Sequence, residues 1–105
     1  MPMANEISIG EVVEIIKKIE HPEIAATFHE LGMVGEVERA GDGFLIEIRT
    51  PFPNIPIKDY LAGMIQTEIN KVVPDALVSF NFTVMTDEVR SSFLALARQR
   101  WKGEI

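Results

Sequence analysis

Hydrophobic and polar positions alternate along this chain in two distinct rhythms, and each rhythm marks its own kind of element. Val12, Ile16 and Ile19 recur at helical spacing, with Glu14, Lys17 and Lys18 mostly on the other side. Ser8 followed by Glu11 is a capping box, and Ile7 and Val12 are placed as its hydrophobic staple. The spacing therefore predicts a first helix from Ser8 to about Glu20, where Pro22 stops it. Because proline suits a first helical turn, a short second helix is predicted from Glu23 to Leu31, with Gly32 as its left-handed cap.

The rhythm then changes to two. Met33, Gly35 and Val37 alternate with Val34, Glu36 and Glu38, and after Ala40-Gly41-Asp42-Gly43 the residues Phe44, Ile46 and Ile48 alternate with Leu45, Glu47 and Arg49. Two such runs joined by a Gly/Asp-rich tetrapeptide predict a β-hairpin. Pairing Arg39 with Phe44 sets Val37 against Ile46 on the buried side and Glu36 against Glu47 on the open side. Three prolines make Thr50-Pro51-Phe52-Pro53-Asn54-Ile55-Pro56 irregular. A further helix carries Ile57, Leu61, Met64, Ile65, Ile69 and Val72 in register and closes at Pro74-Asp75. Leu77 to Met85 reads as a strand with Val78, Phe80, Phe82 and Val84 on one face. The last helix starts near Thr86 or Asp87, turns Val89, Phe93, Leu96, Ala97 and Trp101 inward, and ends in Arg98, Arg100, Lys102 and Gly103.

The order is α-β-β-α-β-α. Each strand has one apolar and one polar-leaning face, which predicts an α/β (α+β) two-layer sandwich: a small three-stranded mixed sheet with helices on one face. The strand–helix–strand unit from Phe44 to Met85 should be a right-handed crossover. At 105 residues, with 47% hydrophobic and 25% charged, the chain is expected to be a single domain spanning 1–105.

Charge and composition narrow the function. The net charge is −6, with the acids concentrated before Glu47 and a small basic excess after Asp87. A surface that negative repels phosphate backbones, so nucleic acid is not an expected partner. No apolar run approaches the roughly 18 residues that span a bilayer, and the first residues lack the basic and apolar regions of a secretion signal. A cytoplasmic protein away from membranes is the expectation. The chain has no cysteine, which rules out disulfides, thiol catalysis and cluster ligation by its own thiolates.

Four groups of residues are candidates for chemistry. His21 and His29, with Glu23 or Glu30, could ligate a divalent metal, although Pro22 interrupts the turn between them and solvated loop and helix positions are the simpler reading. Glu36, Glu38 and Glu47 could share a proton or hold a hard cation, and Arg49 beside them makes a screened surface cluster the simpler reading. Ser91 and Ser92 have no histidine nearby in sequence, so no nucleophile–base pair stands out and no enzymatic activity is expected. The proline-rich loop leads from a strand end to a helix start, where free backbone N–H groups favour docking. Trp101 is a candidate interface anchor.

Three stretches together resemble a known family. His21-Pro22-Glu23-Ile24, then Leu31-Gly32-Met33-Val34, then Thr50-Pro51 after the hairpin, are similar to the small metal–sulfur (iron–sulfur) cluster assembly family. That family includes Suf-type maturation factors, cytosolic iron–sulfur assembly factors of eukaryotes, the accessory subunit of phenylacetyl-CoA oxygenase and the N-terminal domain of some P-loop scaffold ATPases. The resemblance runs from about Val12 to Arg100 and implies the same order of elements. His21 stands where the family motif usually begins with Asp. Many members carry a cysteine after the Thr-Pro, where this chain has Asn54, Ile55, Pro56 and Ile57. What the resemblance implies is therefore a cysteine-less, non-catalytic accessory protein with no cofactor of its own. It would bind protein partners, iron–sulfur assembly or oxygenase components, through His21, Glu23, Thr50, Pro51, Asn54 and Pro56. The alternatives are a metal- or ligand-binding domain built on the two histidines and nearby carboxylates, and a homodimer joined through strand edges or the Trp101 helix.

Overall fold

A computed structural model of the chain describes residues 7–102; Gly103, expected at the end of the last helix, lies outside the described residues. The capping box forms as the sequence requires. Ser8 Oγ accepts from the Glu11 amide, and the Glu11 carboxylate accepts from the Ser8 amide in return. Helix α1 runs Ile9–Lys17 and ends on Lys18, about a turn earlier than Pro22 alone would demand. Ile7, Val12, Ile16 and Ile19 are all buried, so the staple and the apolar stripe both face the core.

The predicted helix from Glu23 to Leu31 does not form. Residues 19–28 instead fold back on themselves: the Phe28 amide donates to Ile19 O, the His21 amide donates to Ala26 O, and Glu20 bridges Thr27. Thr27 and Glu30 do make reciprocal capping bonds, but they close a single turn ending at Gly32. Pairing with the far end of the chain overrides helix propensity here. The Ala25 amide donates to Arg100 O, and the Lys102 amide to Glu23 O. Gly32 has the expected left-handed backbone (φ 72°), and a Cβ there would crowd Val89.

Strands β1 (Val34–Ala40), β2 (Gly43–Thr50) and β3 (Leu77–Val84) form a sheet ordered β1-β2-β3. Strands β1 and β2 are antiparallel with the predicted register, Arg39 opposite Phe44 and Val37 opposite Ile46. A bulge between Val34 and Val37 breaks the simple alternation, so that both valines lie opposite core-facing residues of β2. Strand β3 pairs with β2 in parallel along its whole length, from Leu77 opposite Gly43 to Val84 opposite Thr50. Phe44, Ile46 and Ile48 are at most 1% exposed, while Leu45, Glu47 and Arg49 on the other face are only partly covered. One face of the sheet is therefore core and the other open.

Helix α2 (Lys58–Val72) carries β2 across to β3 and buries Leu61, Ala62, Ile65 and Ile69. Its end departs from the predicted stripe: Val72 is exposed and Val73, beyond the last helical turn, is buried in its place. Helix α3 (Asp87–Arg100) starts from a Thr86 cap and sinks Phe93 into the core. Trp101 bridges Ile24 and keeps 39% of its surface exposed. Among the described residues no helix is long and apolar enough to cross a membrane.

Candidate functional site

Strands β2 and β3 are parallel, so their carboxyl ends finish on the same side of the sheet, and the proline-rich loop leaves from there. Thr50 pins that corner. Its Oγ1 lies 2.9 Å from Phe52 O and 3.2 Å from Thr83 O, and its carbonyl accepts from the Met85 amide at 2.8 Å. Arg90 latches the loop from α3. Its Nε donates to Pro51 O (2.6 Å), Nη2 to Met85 O (3.1 Å) and Nη1 to Asp87 Oδ1 (2.8 Å). The same guanidinium lies 5.4 Å from the Phe52 ring centroid.

This scaffold leaves Phe52, Pro53, Asn54 and Pro56 exposed, with Phe52 showing half its surface. Thr50 and Pro51 are buried beneath them, and Asn54 adopts a left-handed backbone at φ 58°. The loop then runs into α2 through half-buried Ile55 and Ile57, and no side chain caps that helix. Its surface is thus an apolar ring and two prolines on a backbone held from three sides.

His21 and Glu23 lie elsewhere. His21 is 4% exposed; its Nδ1 accepts from the Glu23 amide at 3.0 Å and its ring meets Phe28 edge-on at 5.8 Å. Burial lowers the His21 pKa, Lys102 adds to that effect, and Glu23 opposes it. Lys102 also donates to His21 O and pairs with Glu20. His21 and Glu23 therefore sit at the C-terminal end of α3, whereas Arg90 holds the loop near its start. Ten residues of helix between Arg90 and Arg100 amount to about 15 Å. The structure brings Thr50, Pro51, Asn54 and Pro56 together and sets His21 and Glu23 apart from them.

The other candidates resolve more simply. His29 is exposed, and no group of three or more His, Asp or Glu side chains gathers as a metal site among the described residues. Glu47 works as a strap across the open face. Its carboxylate accepts from the Glu36 amide (3.1 Å) on β1 and the Thr83 hydroxyl (2.8 Å) on β3, with Arg49 at 3.6 Å. The Glu36 amide bond, then the Thr83 hydroxyl and Arg49, hold its pKa below the usual carboxylate range despite some burial, so Glu47 stays ionised rather than sharing a proton. A Cβ at Gly35 would collide with that carboxylate, which is why the bulge carries glycine. A groove of about 590 Å³ lies between the end of α1 and the outer side of α2, lined by Lys18, Ile19, Tyr60, Gly63, Met64 and Glu68, and touches none of the loop.

The sequence places Phe52 in the loop without singling it out, and leaves Arg90 outside the expected site. A signal for Arg90 was present: a cation in the first turn of a helix opposes the helix dipole, so it needs acceptors of its own.

No family model and no curated protein matches this chain. Its structure is similar to a crystal structure described as a domain of unknown function, DUF59, from Bacillus anthracis. The TM-score is 0.59 at 16% identity, over 84% of this chain and 90% of that one. At that identity the likeness shows a shared fold.

Proposed function

We propose that this chain is a non-catalytic accessory protein that acts by binding other proteins, in the manner of iron–sulfur cluster assembly factors but without their cysteine. Two observations support the reading: the order and spacing of the three motifs, and a fold in common with a structure described as a DUF59 domain of unknown function, whose element order is the one the motifs imply. The partners are cluster-assembly or oxygenase components, met in the cytoplasm. A chain without thiols supplies no thiolate ligand or sulfur nucleophile, so its contribution lies in the shape of its surface.

One observation carries the reading. An exposed Phe52 flanked by Pro51 and Pro53 is held on a rigid corner by Arg90 and Thr50, so it can meet a partner without first being ordered. Asn54 and Pro56 extend that surface, with Thr50 and Pro51 as its foundation. His21 and Glu23 contribute by fixing the far end of α3. Affinity capture from the source cell should recover a cluster-assembly or oxygenase component with the wild-type protein and lose it with Phe52→Ala. Recovery of no such component, or equal recovery by the variant, would overturn the proposal. The metal-binding alternative gains nothing from the geometry, because the His21 Nδ1 lone pair already accepts the Glu23 amide.

A further inference from the structure

Strand β3 has β2 on one side and, among the described residues, no strand on the other. It is eight residues long, unbroken in register, and contains no charged residue, proline or glycine. Its core-facing row is only half covered: Val78, Phe80 and Phe82 are intermediate and Val84 is 47% exposed, while Leu77 on the other face is 70% exposed. An edge with these properties lacks the devices that keep strands from pairing. We propose that β3 takes up an extended segment of another protein as a fourth strand, and that the segment alternates apolar with basic residues. This surface is separate from the Phe52 loop.

The charges around the edge select that occupant. On the open face Glu36, Glu38 and Glu47 stand against Arg49 alone, and a crevice of about 170 Å³ lined by the three glutamates reaches Asn81 of β3. Past the strand Asp87 is already paired with Arg90, and Glu88 adds a further acid. An added strand would continue the Val78–Phe80–Phe82 row with its apolar side chains. Its other side chains would lie beside Ser79, Asn81 and Thr83, facing the acidic crevice, where lysine or arginine is favoured. On the core side, the Lys58 ammonium already covers the Phe82 ring at 5.2 Å, so the basic residues belong on the open face. A second copy fits worse. Antiparallel pairing of two β3 strands about a two-fold axis would set both acidic crevices on one side of the joined sheet, in a chain of net charge −6.

The test uses the whole protein and two acetylated octapeptides, one alternating valine with lysine and one alternating valine with glutamate. Binding is followed by NMR shifts and amide exchange. The lysine peptide should bind at least about tenfold tighter than the glutamate peptide, perturb and protect the β3 amides, and lose most of its advantage at high salt. Asn81 is exposed, so both charge variants should keep the fold. Asn81→Lys should weaken the lysine peptide and Asn81→Glu should strengthen it. Equal binding of the two peptides, shifts centred away from β3, or concentration-dependent self-association abolished by both Asn81 variants would each overturn the proposal.

Discussion

The two rims of this sheet follow opposite rules. Strand β1 carries Glu36, Glu38 and Arg39 within seven residues, is kinked by a bulge, and has Arg39 donating to Ile7 O beside α1. Strand β3 is straight in register and uncharged, and among the described residues a single strand pairs with it. Both belong to one three-stranded sheet and both are amphipathic. Protection against stray pairing is therefore built into one edge and not the other, and the proposed fourth-strand contact rests on that asymmetry.

The strongest way to break the comparison is to remove what both rims share. Ile46 is fully buried at the centre of β2, and Ile46→Ala should destabilise the fold by about 2–5 kcal/mol in urea unfolding, exposing both edges together. Next comes the latch that ties β3 to β2 at their carboxyl ends. Arg90→Ala removes three hydrogen bonds from a half-buried guanidinium and should cost about 2 kcal/mol. Amide exchange should then speed up at Met85 while β1 amides stay as they were.

Much of this architecture could be read from the residues, and what could not has physical reasons. The Ser8–Glu11 box and the Arg39–Phe44 register depend on neighbours close in sequence, so local chemistry specified them. The missing helix at 23–31 depends on Arg100 and Lys102, about 75 residues downstream, and no local pattern reports such pairing. The bulge is not legible, because Gly35 fits a strict alternation as well as it fits a kink. Within the candidate site the Thr50–Pro56 loop was legible from its prolines. That His21 and Glu23 belong to the other end of α3 was not, because their partner Lys102 is fixed by tertiary packing.

Smaller effects separate the sheet from the segment behind it by pH. Glu47 joins both rims, and Glu47→Ala should cost about 1 kcal/mol at neutral pH. Because its folded pKa is depressed, that stabilisation is present above the ordinary carboxylate range of about 4.3 and is lost as pH falls through the folded value. Wild type and variant should therefore converge in acid. His21 acts nearer neutrality. Its lowered pKa keeps it neutral in the fold, so the unfolded chain binds more protons below about 6.5 and stability declines as pH falls from there toward the folded value. His21→Gln should flatten that part of the stability profile and leave the acidic part unchanged.

Site-resolved capture in the source cell tests the account most directly. A photo-crosslinking side chain placed at Asn54, on the held loop, is compared with one at Ala40, on the guarded rim and outside the acidic crevice. Discrete adducts with a cluster-assembly or oxygenase component are expected from Asn54, lost on Phe52→Ala, and none from Ala40. Adducts from neither position, or the same adducts from both, would contradict the account.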